Sequence, residues 1–178
     1  MHPEAIDFCQ SVKRQFPQMF HGKVVLDVGS YDVNGNNRHL FQNCTYTGVD
    51  VAEGPNVDIV GQIHELPWAE EMFDVVVSTE MLEHDPNYKE SLRTMYRILK
   101  PGGLLILTCA TTGRKEHGTS QSEPEANPGF RKLGDYYRNL TRADVVNAFD
   151  KLKAPWFSAS LFAENPVAHD LYFWGIKA

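Results

Sequence analysis

Short apolar runs alternate with longer amphipathic or polar stretches along this chain. "KVVLDVG" (23–29), "TYTGVDV" (45–51), "FDVVVSTE" (73–80) and "LLILTCA" (104–110) have strand length and are rich in aliphatic or β-branched residues. Val75-Val76-Val77 shows no apolar–polar alternation, the pattern of a strand covered on both faces. "NVDIVG" (56–61) predicts a short further strand, followed by the turn "QIHELPW" (62–68). Helical spacing appears over residues 3–16, where Ile6, Cys9, Val12 and Phe16 share a stripe and Pro17 ends the run. Pro3 suits the first turn of that helix, and Glu4 and Asp7 complement its dipole. Residues 86–100 place Tyr88, Leu92, Met95, Tyr96 and Leu99 on one helix face, with Arg93, Arg97 and Lys100 toward its end. Pro101-Gly102-Gly103 then stops the helix, and a short helix is expected over 36–42.

The last third of the chain changes character. Residues 111–139 are polar, rich in Gly, Pro, Ser and Glu, and without periodicity; so long a loop suggests a substrate lid. "TRAD" predicts a helix opened by a capping box of Thr141 and Asp144. "WFSASLFAE" (156–164) and "DLYFWGIKA" (170–178) then predict two strands in an antiparallel hairpin. Strands alternating with helices give an α/β class: a Rossmann-like, doubly wound, mostly parallel seven-stranded sheet closed by the antiparallel hairpin. In such sheets ligands sit at the carboxyl ends of the strands, near the reversal of strand order. Asp27–Gly35, Asp50, Gln62–Leu66, Ser78–Glu83 and Thr108–Thr112 all fall at those ends.

Composition narrows the partners. A chain of 178 residues suits one domain, 1–178, with residues 1–20 as its N-terminal helix. Its net charge of −6 gives no long-range attraction to polyanions, so neither nucleic acid nor an anionic membrane is expected as partner. "MHPEAIDFCQSVKRQF" carries acids early and lacks the apolar core of a leader peptide. Cys9, Cys44 and Cys109 are isolated, without CxxC spacing, which fits buried thiols in a reducing cytoplasm better than a disulfide framework. Oligomeric state stays open.

"VVLDVGSYDVNG" (24–35) begins as a strand entering a nucleotide- or nucleoside-binding turn, but its next glycine after Gly29 is Gly35. A dinucleotide fingerprint would need glycine at Tyr31 and Asn34. Taken with "YTGVDV", "HELPW", "FDVVVSTEMLEH" and "LRTMYRILKPGGLLILT", the chain resembles the small class I S-adenosylmethionine-dependent methyltransferases over roughly residues 22–110. The resemblance implies S-adenosylmethionine as cofactor and S-adenosylhomocysteine as product. It implies that Asp27 orders the loop or contacts the amino group, and that Gly29 lets backbone approach the ligand, with Ser30 beside it. Gly35 would stand for the third glycine of the family loop, two residues late, with Tyr31 or Asp32 in place of the middle one. The extra length would wrap the amino-acid end or bring Tyr31 and Asn34 toward the substrate. Asp50, followed by Val51, would accept the ribose hydroxyls. Gln62, Ile63 and His64 would form the adenine turn, and Ser78, Thr79 and Glu80 would meet the methionine ammonium.

Catalytic residues carry less signal. His117, with Glu116 beside it in the long loop, and His84 in "LEHD" are candidate bases for an oxygen nucleophile. Tyr136, Tyr137 and Arg138 either close over substrate or pack at the base of the loop. Asp85 before Pro86 doubles as a helix start, and His84, Asp85 and His117 lack a recognised metal-ligand spacing, so no metal is expected. The reading is methyl transfer to a small or medium polar acceptor, a small molecule or glycan-like, by O- or N-methylation. Two alternatives stand beside it: a non-catalytic S-adenosylmethionine-binding partner subunit, and an NAD-binding oxidoreductase domain.

Overall fold

All the predicted strands form, and they join in one sheet. The computed structural model describes residues 2–178, with β1 (Val24–Val28), β2 (Thr45–Asp50), β3 (Ile59–Val60), β4 (Phe73–Thr79), β5 (Leu99–Ala110), β6 (Phe157–Asn165) and β7 (Asp170–Lys177). The spatial order is β3-β2-β1-β4-β5-β7-β6. β1 runs parallel to β2 and β4, β2 to β3 and β4 to β5, whereas β7 is antiparallel to both β5 and β6. The chain winds outward from β1 through β2 to β3, then returns to lay β4 on the other side of β1. That reversal opens a crevice between the carboxyl ends of β1 and β4.

The unbroken apolar runs are explained by two separate cores. Val25, Val75, Val77, Leu104 and Ile106 face Cys9 and Val12 of α1 (Pro3–Gln15) and Phe20 of the following 3-10 turn. Leu26, Val28, Val76, Leu105 and Leu107 face the other way, against α2 (Tyr88–Ile98) and α4 (Arg142–Phe149). Leu92, Met95 and Ile98 of α2 are fully buried. At ~1.5–3 kcal/mol each, their burial outweighs propensity differences of at most ~0.7 kcal/mol per ordinary residue, so packing holds this short helix. Thr141 and Asp144 form the expected reciprocal capping box at the start of α4.

Several boundaries differ from the sequence reading. The helix expected over 36–42 is a single 3-10 turn, Arg38–Leu40. Asn36 donates to Asp32 and accepts from the Arg38 amide, while the Arg38 guanidinium bonds Asn56 and Asp58, so these tertiary bonds compete with a longer helix. β3 is a two-residue strand. α2 stops at Ile98, and Leu99 and Lys100 already belong to β5: Leu99 pairs with Phe73, and Lys100 Nζ lies 2.8 Å from Asp74. The strand continues through Pro101-Gly102-Gly103, with Gly102 at φ +74°. The polar segment 111–139 holds a 3-10 turn at Pro124–Ala126 and the short α3 (Phe130–Leu133). All three cysteines are free thiols. Among the described residues, no helix is long and apolar enough to cross a membrane.

Candidate active site

The crevice widens into a cavity of about 420 Å³, within the ~300–1,000 Å³ usual for small-molecule sites. β1 delivers Asp27, Gly29 and Ser30 to its wall, and the loop beyond adds Tyr31, Asn34 and Gly35. β2 delivers Asp50 and Val51, the next turn Gln62 and Ile63, and β4 Thr79 and Glu80. Facing these are His84, Glu116 and His117. The remaining sequence candidates lie off the wall. Ser78 is fully buried in β4, and His64 turns to Ser91 at 3.4 Å. Arg138 bonds Asp144 at 2.6 Å, and Tyr136 and Tyr137 lie behind the two histidines.

Gly29 is required for a reason the sequence did not show. It sits at φ +81°, and a Cβ there would collide with the side chain of Met81, so the close approach is between two strand ends. The Gly29 and Ser30 amides both donate to the Val49 carbonyl, at 2.8 and 3.1 Å. Asp32 organises the long part of the loop by accepting from the Gly35 amide at 2.7 Å and from Asn36 at 2.6 Å. Tyr31 donates its amide to Asp50 at 3.2 Å, and its ring packs on Gly54, where a side chain would collide with it.

The carboxylates of β1 and β2 differ in how far they are satisfied. Asp50 accepts from the Ala52 amide at 2.9 Å as well as from Tyr31; burial raises its pKa, and these amides oppose the rise. Asp27 is 2% exposed and accepts from the Tyr46 hydroxyl at 2.5 Å, while its Oδ1 has no partner. Burial pushes this carboxyl up to about 6. Ser30 Oγ and Asn37 Oδ1 are likewise buried and unpartnered, and Asn37 donates to Thr79 at 3.1 Å. Each such orphan costs ~1–3 kcal/mol unless a ligand donates to it. Three of them on one cavity wall suit an ammonium or hydroxyl-bearing ligand.

Glu80 holds the opposite corner at φ +55°, a backbone strain typical of functional turns. His2, absent from the sequence reading, lies 3.1 Å from both Glu80 and Asp170 and 2.9 Å from Glu4. Burial opposes its charge, yet the hydrogen bonds it donates to Asp170 and Glu80 raise its pKa to about 10. His2→Ala is expected to cost ~1–3 kcal/mol, below the ~3–5 for a fully buried pair because His2 keeps 17% exposure. The folded pKa lies above the unfolded 6.5, so this contribution is complete below 6.5 and lost as pH rises through about 10. Melting curves of both proteins should therefore differ most below pH 6.5 and converge near pH 10; a constant gap would exclude the ion pair as its cause.

His84, His117 and Tyr137 form a ring cluster with centroids 5.0–5.5 Å apart. Burial, then the neighbouring His117, lowers the His84 pKa to about 4, so its imidazole is neutral at pH 7. His117 Nδ1 lies 3.1 Å from the Lys115 carbonyl, which can only accept; in the neutral ring Nε2 therefore carries the lone pair. Glu83, next to His84, is completely buried. The sequence displayed Glu83 in "LEH", but nothing local distinguished it from a helix-start acid. His2 and Asn37 gave no signal either, since their partners are distant in sequence.

Fold and site define a doubly wound domain with a small-molecule cavity at its switch point. Residues 26–107 match the family model described as a methyltransferase domain. Over that stretch, a little under half of its length, the chain resembles the class I S-adenosylmethionine-dependent methyltransferases, which supports S-adenosylmethionine as its cofactor. It is 34% identical over 113 residues to the ubiquinone biosynthesis O-methyltransferase of Pseudomonas putida, a match covering 54% of this chain and 48% of that protein. The protein of that name from Pseudomonas savastanoi matches to the same extent, so the match spans about half the length of these curated relatives. Two solved structures share the fold. The 1,6-didemethyltoxoflavin-N1-methyltransferase of Burkholderia thailandensis has a TM-score of 0.62 at 19% identity, covering 96% of this chain and 78% of that one. Phosphoethanolamine N-methyltransferase 2 of Haemonchus contortus has a TM-score of 0.66 at 17% identity, covering 96% and 52%.

Proposed function

We propose that this chain methylates an oxygen of a small hydroxylated acceptor, a small molecule or a glycan-like one. The carrying observation is the pair of imidazoles on the cofactor cavity wall, His84 and His117, with Glu83 and Tyr137 behind them. A neutral amine would need no such wall, because its lone pair is already free; a hydroxyl must lose a proton as it attacks. S-adenosylmethionine supplies a methyl group on sulfonium, open to in-line displacement. Asp50 would hold the ribose hydroxyls, Asp27 and Asn37 the amino group, and Gln62 and Ile63 the adenine. His117 Nε2 would receive the acceptor's proton, while Asn34 and Glu116 orient the acceptor at the cavity mouth.

The test couples calorimetry to turnover. Wild-type protein should bind S-adenosylmethionine and S-adenosylhomocysteine but not NAD, and release S-adenosylhomocysteine with members of a panel of phenols, hydroxy acids and sugars. His117→Ala should keep cofactor affinity and lose ~10²–10⁴-fold in turnover. Cofactor binding with no turnover on any acceptor would favour a non-catalytic partner subunit; binding of NAD alone would favour an oxidoreductase domain.

A further inference from the structure

We infer that Glu83, His84 and His117 form a binding site for one divalent transition-metal ion, with the two imidazoles on the wall of the cavity and the buried carboxylate behind them. One potential ligand atom from each residue lies within 4.8 Å of the other two. Ligands about 2.1 Å from a tetrahedral cation sit ~3.4 Å apart, so side-chain rotation of roughly an ångström closes the triangle. Two imidazoles and one carboxylate are the donor set of catalytic zinc and non-haem iron sites, which leave further positions for substrate.

Unsatisfied chemistry supports the geometry. Glu83 is fully buried, and neither of its oxygens has a hydrogen-bond partner. Burial first, then the neighbouring Glu80, pushes the Glu83 carboxyl well above the usual carboxylate range, and the nearby amides of Glu83 and Ala110 only oppose that rise. His84 Nδ1 is buried without a partner, and the Tyr136 carbonyl sits against the same ring. His117 turns its other nitrogen to the Lys115 carbonyl. For His117, a carbonyl that fixes the tautomer and leaves the second nitrogen bare is the usual outer support of a metal-bound histidine. A second triple, His2, Glu80 and Asp170, also brings ligand atoms together. Its atoms already satisfy one another, with Thr108, Tyr172 and Arg114 taking the rest, so it has no vacancy in its bonding. The contrast assigns the cation to the first cluster.

The inference deepens the proposed function and rests on it for its chemical role. A hydroxyl bound to the cation loses its proton to solvent more readily, and the resulting oxygen attacks the methyl carbon. The O–CH₃ bond forms as the C–S bond breaks, and S-adenosylhomocysteine leaves as a neutral thioether. With the cation in place both imidazoles act as ligands; without it, His117 is the base.

Chelator-treated protein would be titrated separately with Zn²⁺ and Mn²⁺, with no acceptor present, and with Co²⁺ while visible absorption is recorded. The expected result is one equivalent bound, a Co²⁺ band typical of nitrogen–oxygen coordination, and at least ~10-fold weaker binding in both Glu83→Gln and His117→Ala. His117 is only partly buried, so its removal spares the core. S-adenosylmethionine titrations of the same samples report folding and the cofactor site independently. Equal cation affinity in wild type and both variants, or no binding by wild-type protein that still takes up cofactor, would overturn the inference. Cation binding without methyl transfer to any acceptor would instead count against the proposed function and leave the site standing.

Discussion

Asp50→Asn should weaken S-adenosylmethionine and S-adenosylhomocysteine binding by at least ~100-fold with the fold intact, as read by calorimetry and melting temperature. The carboxylate has about four acceptor positions, and the Ala52 and Tyr31 amides occupy two. Two remain for vicinal hydroxyls. Hydrogen bonds to charged groups contribute ~1.5–3 kcal/mol each, so losing even the weaker pair costs ~3 kcal/mol, or a little over a hundredfold. Asparagine keeps one oxygen and turns an NH₂ toward one of the two amides, so the Tyr31 loop loosens as well. Affinity within ~5-fold of wild type would mean that Asp50 serves the loop and not the ribose.

Asp27→Asn should do two opposite things. Cofactor binding should fall, because an amide cannot pair with an ammonium as a carboxylate does. The ligand-free protein should become more stable above pH 6, by ~1–3 kcal/mol. The folded carboxyl titrates at about 6 against 3.8 unfolded, and each unit corresponds to 1.36 kcal/mol. Below 3.8 the group is protonated in both states and adds no pH dependence. As pH rises through 3.8 toward about 6 the unfolded chain ionises first, stability falls, and the full cost remains above that window. In urea denaturation at either end of the window, the variant should lack this slope; a variant less stable than wild type at both ends would refute the account. Wild-type cofactor affinity should drop as pH falls through about 6.

The sequence made the sheet legible because each strand carries its burial as an unbroken apolar run, and two helical layers require such runs. It made one wall of the cavity legible because Asp27, Asp50 and Gln62, which line it, stand at the ends of those runs. The helix misread over 36–42 shows where local pattern stops: Asp32, Asn56 and Asp58 take the polar groups of Asn36 and Arg38. The extent of α2 was misread because Leu99 is apolar and buried in either a helix or a strand, and only its pairing with Phe73 decides. Glu83 and His2 were invisible as site residues for a related reason. A missing hydrogen bond and an ion pair to the far end of the chain both depend on residues the local sequence does not contain.

The contact of Met81 with Gly29 couples two parts of the molecule that have separate chemical duties. Gly29 opens the loop that lines the cavity, and Met81 opens the turn that carries Glu83 and His84. No space for a side chain lies between them, so the loop after β1 and the turn bearing His84 pack directly on one another. Under the proposed function, occupancy of that loop by the methyl donor would set the alignment of His84 toward the acceptor, and donor-first binding would be the expected order.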